Sequence, residues 1–232
     1  QASRLTGQKY MSPDNTNAVN TNTNYKWDYM NGWYVGPYTL STQMGWHFKR
    51  HAGFDIVTYT GNGSSLREIR HSLNAVPEMV VVKKRNSTGG WQVYHVGAGN
   101  TKYMYWNANT MAQASANVWA NTTPTSTVFT VAAGAEVNEN TYEYQALLFS
   151  SVSGISKVGS YTGDASGNTV TLGFQPRFVI IKTSSAESSW TVLDTTRGWG
   201  SGNDQRLYLN TSAAQNAQDW GAPTSTGFTV SS

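Results

Sequence analysis

The sequence predicts an all-β protein: two tandem, duplicated, antiparallel β-sandwich-like modules preceded by an extended N-terminal arm. Two observations predict it. One pattern is written twice: Tyr59-Thr60-Gly61 returns as Tyr161-Thr162-Gly163, Pro77 as Pro176, Lys83 as Lys182, and Trp91 as Trp190. The tail Pro124-Thr125-Ser126-Thr127 returns as Pro223-Thr224-Ser225-Thr226, and Phe129-Thr130-Val131 as Phe228-Thr229-Val230. The Tyr-Thr-Gly strings lie 102 positions apart and the Pro, Lys and Trp pairs 99, so three residues are lost between Gly163 and Pro176, where a turn absorbs them. A period near 100 is too long for a solenoid repeat and fits duplicated domains. The second observation is the regular alternation of short apolar runs with Gly, Asn and Ser turn signals, the signature of antiparallel sandwiches.

The elements follow in order. Residues 1–37 read as an extended polar and aromatic arm. NTNAVNTNTN (15–24) has no hydrophobic period, so no packed element is expected there. The aromatics that follow, among them Trp27, Tyr29, Trp33 and Tyr34, are too crowded to lie free in water. They are candidate assembly residues, docking on the arm's own domain or on a neighbouring subunit. Residues 38–152 form the first module and 153–232 the second. Thr39–Lys49 reads as a strand with Leu40, Met44, Trp46 and Phe48 mostly on one parity. It matches the 142–150 strand at the end of module one (Phe48 with Phe149, Gly53 with Gly154), so residues 38–50 are available to complete module two, within one chain or between chains, or else to edge module one, their covalent neighbour.

Within module one, strands are expected near 54–60, 66–72, 78–85, 91–96, 102–106, 127–131 and 142–150. Thr60-Gly61-Asn62-Gly63 supplies a tight turn. Pro77 fixes the entry to Met79-Val80-Val81-Val82, a continuous apolar run that reads as a central core strand. Asn86-Ser87-Thr88-Gly89-Gly90 is a hairpin loop before the alternating Trp91-Gln92-Val93-Tyr94. Met111–Ala120 is a short, Ala- and Asn-rich, uncapped helical patch. Module two repeats the first six strands and stops at Val230.

Composition narrows the function. Only 12% of residues are charged, against roughly a quarter in ordinary soluble domains. Thr, Ser, Asn and Gly fill the surface, with nine Trp and thirteen Tyr, as in secreted or virion proteins that meet glycans and protein surfaces. The net charge of +3 is spread out, which argues against nucleic acid as a partner. There is no Cys, hence neither a disulfide nor a Cys-ligated zinc site. No apolar run approaches the roughly 18 residues of a membrane helix. No signal-peptide pattern is visible, and the chain opens on Gln1 rather than Met.

The strings FDIVTYTGNG, HSLNAVPEMVVVKKR, WQVYH, NTTPTSTVF and SKVGSYTG resemble a repeat family in structural proteins of bacteriophages, especially phages of marine bacteria. The resemblance covers residues 44 to 232 and leaves the arm outside. It implies a virion-surface or tail-fibre component with a host-contact or particle-decorating role, located on the extracellular particle. Its partners would be other virion subunits, including further copies in a homo-oligomer, and a host-surface glycan or receptor. No catalytic residue, metal or cofactor comes with it.

The residues themselves offer little catalysis. His47 and His51 are four apart, which on a strand separates them by about 13 Å. His71 and His95 are not repeated in module two, which suits a structural role. No HExxH, P-loop or GxGxxG string occurs. A glycan depolymerase, the alternative enzymatic reading, needs paired acids, and none of Glu78, Glu136, Glu139, Glu143 and Glu187 occurs in both modules. Asp164–Asn168 and Gly202–Asp204 are oxygen-rich loops read as solvated turns rather than calcium sites. Trp106, Trp119, Trp199 and Trp220 lie outside the shared strand pattern and are the candidate glycan-stacking residues, with core packing as the alternative. Trp91 and Trp190 recur at equivalent positions and read as core.

Overall fold

The computed structural model describes residues 8–26, 34–35, 45–200 and 202–231. The first described residues hold four two-residue strands, β1 (Lys9–Tyr10), β2 (Asn20–Thr21), β3 (Tyr25–Lys26) and β4 (Tyr34–Val35). Module one follows with β5 (Phe54–Thr60), β6 (Arg67–Arg70), β7 (Met79–Lys84), β8 (Trp91–His95), β9 (Lys102–Tyr105), β10 (Gln113–Ala114), α1 (Ala116–Trp119), β11 (Val128–Val131), α2 (Ala135–Asn138) and β12 (Glu143–Phe149). Module two holds β13 (Asn168–Thr171), β14 (Phe178–Ile181), β15 (Thr191–Asp194), β16 (Asp204–Tyr208), β17 (Asn216–Gln218), β18 (Pro223–Thr224) and β19 (Gly227–Val230). All described pairings are antiparallel, so the all-β class holds.

Module one is a six-stranded sheet, β10-β9-β8-β7-β12-β5, faced by the pair β11-β6. Between these layers lie Val80, Val82, Tyr94, Phe129, Val131, Tyr144 and Leu148, with Trp119 and Val137 from the two short helices. The opposite face of the same sheet is also buried. Val81, Val93, Trp91 and Leu147 pack there with Met11 from the arm and Trp190 from module two. Burial on both faces explains why Met79–Val82 is a continuous apolar run rather than an alternating one.

Module two reproduces part of this plan. The order β14-β15-β16-β17 parallels β7-β8-β9-β10. The registers agree too: Met79 pairs with His95 in the first sheet, and Phe178 with Asp194 in the second. The pair β13-β19 parallels β6-β11, with Phe228 and Phe129 in equivalent places. Strands equivalent to β5 and β12 do not occur among the described residues of module two. Its core is correspondingly small, built on Leu193, Trp199 and Phe228.

Three expectations are corrected. Residues 45–49, the described part of the expected 39–49 strand, are not in a strand. They cross the junction: Trp46 donates its indole N–H to Asp194 Oδ2 at 2.8 Å and lies on Phe178, while Phe48 packs on Phe54 and Phe149. Leu40 and Met44 lie outside the described residues. The helical patch at 111–120 shrinks to the single turn α1, and it is capped, because Ser115 Oγ accepts from the Asn117 amide. Residues 15–24 of the arm, expected to hold no packed element, contribute β2 and rest on module one.

Candidate interaction site: a clasp used twice

Lys83 and Trp91 face each other directly across β7 and β8, on the side of Val81 and Val93. The hairpin loop between them supplies the backbone of Arg85 and Gly89. Together these groups hold the backbone of residues 15–19. Trp91 Nε1 donates to the Asn15 carbonyl at 3.1 Å. Lys83 Nζ and the Gly89 amide both donate to the Thr16 carbonyl, at 3.2 and 2.9 Å. The Val19 amide donates to the Arg85 carbonyl at 2.7 Å.

Module two makes the same set of contacts with module one. Trp190 Nε1 donates to the Tyr105 carbonyl at 2.8 Å. Lys182 Nζ and the Ser188 amide both donate to the Asn109 carbonyl, at 3.3 and 2.7 Å. The Ala112 amide donates to the Ser184 carbonyl at 2.9 Å. Each lysine also donates to the carbonyl of its C-terminal neighbour, Lys84 or Thr183. Trp106 adds an apolar contact, stacking on Trp190 with ring centroids 6.0 Å apart.

What the two clasps hold is alike. The arm hairpin pairs Lys9 with Thr21 and Tyr10 with Asn20; β9 and β10 pair Lys102 with Ala114 and Tyr103 with Gln113. Every one of these residues is matched 93 positions on, and so are the gripped pairs Thr16 and Asn109, Val19 and Ala112. Met11 and Met104 are buried in the same cluster. The one departure is the indole contact, which falls on Asn15 in the arm and on Tyr105 rather than Ala108 in module one. The sequence carries a signal for this: Lys9-Tyr10-Met11 is repeated as Lys102-Tyr103-Met104.

Burial is the main cause that depresses both lysines. Lys83 is lowered to about 8, with nearby Glu136 opposing and Lys84 reinforcing the shift; Lys182 moves the same way. The clasp reads main-chain carbonyls and amides, so its grip depends on backbone shape more than on the side chains of the held loop, the logic of strand-addition recognition.

The stacking candidates are placed as follows. Trp106, Trp119 and Trp199 are interior, at 8%, 2% and 3% exposure. Their faces meet Trp91 and Trp190, Tyr94, and Phe228 respectively, which leaves no open face for a sugar. Trp220 is half-buried, with the Arg206 guanidinium 4.9 Å from its ring centre. Of the assembly candidates, Trp27, Tyr29 and Trp33 lie outside the described residues, and Tyr34 stands in β4 opposite Lys26.

His71 ties the end of β6 to the loop before β11, with Nε2 3.2 Å from the Thr125 carbonyl. His95 Nδ1 accepts from the Gly97 amide, as Asp194 Oδ1 accepts from the Thr196 amide at the equivalent turn. Among the described residues no group of three His, Asp or Glu is placed to hold a metal ion. No described helix is long and apolar enough to cross a membrane. Asp164 closes its own exposed turn onto Ser166. Asp204 departs from the solvated-turn reading: it is fully buried and accepts from the Gly200 and Trp220 amides. A shallow hollow lined by Arg50, Ile56, Arg70, His71 and Ser72 lies beside buried Asp55. Burial pushes that carboxyl up, but bonds from Arg50 and from the Ser72 and Ile56 amides outweigh it and hold it below its ordinary value. Those partners make it a structural strap.

A family model described as a domain of unknown function (DUF7483) matches residues 6–232. The chain belongs to the DUF7483 family. No curated protein and no solved structure matches it. The DUF7483 match takes in the arm, which the resemblance drawn from sequence leaves outside, and the arm hairpin on the first clasp gives a physical reason for its inclusion.

Proposed function

We propose that this DUF7483 chain is a non-enzymatic structural protein of a virus particle, a tail-fibre or surface component built from duplicated modules. The observation that carries this reading is the clasp. One backbone-gripping device occurs twice and joins successive parts of the chain end to end, as in arrays whose units contact only their neighbours. The sequence resemblance to phage repeat proteins and the Thr-, Ser- and Asn-rich surface support the particle assignment. Contact with a host glycan is the second reading. It now rests on Trp220, the one stacking candidate that keeps partial exposure.

Negative-stain imaging of native particles labelled with an antibody to this chain tests the assignment. Label at a fixed place on the particle is the expected result, and particles that bind no antibody overturn it. A glycan array probed with the isolated protein tests the second reading. Loss of any specific signal in Trp220→Ala is then expected, and an unchanged signal removes Trp220 from the site.

A further inference from the structure

Three hairpins of one kind accompany two clasps among the described residues. The third hairpin is β16–β17, which pairs Gln205 with Ala217 as β9–β10 pairs Lys102 with Ala114. Its base is fixed by the same bonds. The Trp190 amide donates to Asn210 Oδ1 as the Trp91 amide donates to Asn107 Oδ1, at 2.9 and 2.8 Å. The Leu209 amide donates to the Trp190 carbonyl as the Trp106 amide does to the Trp91 carbonyl. In this alignment Tyr208 stands for Tyr105, Ser212 for Asn109, and Gln215 for Ala112, the three residues whose backbone the second clasp holds. Leu209 takes the place of Trp106, the side chain that meets the clasp tryptophan. Yet residues 211–219 are exposed.

We propose that the β16–β17 hairpin is a docking element for the Lys83–Trp91 clasp of a second copy of this chain, and that the arm hairpin is the competing occupant that keeps the clasp closed in an isolated copy. The occupant is argued from the two filled clasps: both hold a hairpin of this register by main-chain groups, so the third hairpin fits the same grip. Contact of this kind is head-to-tail and does not close on itself, so it propagates. The arm sets when it begins, because its own hairpin must leave first. This inference rests on the clasp and not on the particle assignment, and either can fail alone.

The test uses the wild-type chain and two substitutions, made singly and together. Val19→Pro removes the amide that the Arg85 carbonyl accepts from and loosens the arm. Gln215→Pro removes the matching amide from the exposed third hairpin. The double variant Val19→Pro/Gln215→Pro offers an opened clasp but no competent hairpin, while the wild-type chain offers the hairpin. Sedimentation of an equimolar mixture is expected to show a 1:1 heterodimer, and the same mixture with Gln215→Pro in place of wild type is expected to stay monomeric. Val19→Pro alone is expected to form longer, concentration-dependent assemblies. If thermal unfolding shows that Val19→Pro no longer folds, Met11→Ala replaces it, loosening the arm at its buried anchor while leaving every clasp group in place. Monomers in the folded opened-clasp mixture overturn the proposal. So does association that Gln215→Pro leaves unchanged.

Discussion

The two modules share six strands, a four-stranded run of sheet and the pair beside it, yet the string Tyr-Thr-Gly leads different lives in them. In module one Tyr59 lies one residue from the end of β5, stacks on Tyr144 of β12 with centroids 5.2 Å apart, and donates its hydroxyl to the Val137 carbonyl. In module two Tyr161 is exposed and residues 157–163 form no strand. The difference is β12. Strand β5 pairs with β12 and with no other described strand, so a copy of β5 without a copy of β12 has nothing to hydrogen-bond to. Strand formation here is decided by the tertiary partner rather than by the residues of the strand. The same absence leaves β14 half-buried along its length, where β7 is buried from Val80 to Lys84. Trp46 covers one end of β14 by reaching Phe178 and Asp194.

The largest expected effect comes from removing β12 where it matters. Ala146 lies between Val57 of β5 and Val82 of β7, buried and paired on both sides. A proline there deletes a ladder donor in a central strand, a position proline does not tolerate. Ala146→Pro is expected to abolish hydrogen-exchange protection in β5 and the cooperative unfolding of module one. Protection of β5 that survives the substitution breaks the comparison.

Next come the two clasp tryptophans. Trp91→Ala opens a cavity between the sheet and the arm and is expected to cost about 3–5 kcal/mol, read from urea unfolding. Trp190 sits between the modules, stacked on Trp106. Its replacement by alanine is expected to leave module one folded and to uncouple module two, so that one thermal transition becomes two. A single transition in Trp190→Ala shows that the modules are coupled elsewhere.

Much of the scaffold was legible because its causes are local. Met79–Val82 announces a strand buried on both faces, Pro77 its start, and the recurrence of Trp91 as Trp190 a shared interior position. The rest depends on partners distant in sequence. Trp106 and Leu209 occupy equivalent positions, so no repeat marked Trp106 as core; its burial comes from meeting Trp190 of the next module. Residues 15–19 have no apolar period because the clasp holds them by their backbone, which leaves no trace in side-chain pattern. Residues 45–49 carry strand parity, but Trp46 and Phe48 are drawn to different modules.

Glycine sharpens the contrast at a single atom. A Cβ on Gly61 would lie 1.9 Å from the Glu139 carbonyl oxygen, whereas a Cβ on Gly163 meets nothing within 4 Å. Gly61→Ala must therefore push main chain aside and is expected to cost about 1–3 kcal/mol. Gly163→Ala is expected to stay within about 0.5 kcal/mol of wild type. Equal losses at the two sites, measured by urea midpoints, argue that residues 157–163 are packed after all.

The smallest effect is a pH dependence that separates the two clasp lysines. Lys83 is buried, and its amine is lowered from the ordinary 10.5 to about 8. Below about pH 8 it is charged in both the folded and the unfolded chain, so its burial cost is constant. Between about 8 and 10.5 the folded chain has released this proton while the unfolded chain still holds it. Stability therefore rises with pH across that window, since the unfolded state binds more protons. Tyrosines act in the opposite sense at higher pH. Burial raises Tyr103 and Tyr144 to about 12, so above about pH 10 the unfolded chain loses phenol protons that the folded chain keeps, and stability falls. The wild-type chain is thus expected to be most stable between about pH 9 and 10. In Lys83→Met, which keeps the length of the stem without an amine, the rise from pH 8 is expected to shrink to the smaller part that Lys182 supplies, while the tyrosine fall remains. Lys182 is lowered in the same direction but stands only half-buried, so Lys182→Met is expected to alter the slope less. Urea midpoints at pH 7.5, 8.5 and 9.5 decide the matter. A rise that persists unchanged in Lys83→Met assigns the proton to another group and removes the lysine's burial as its cause.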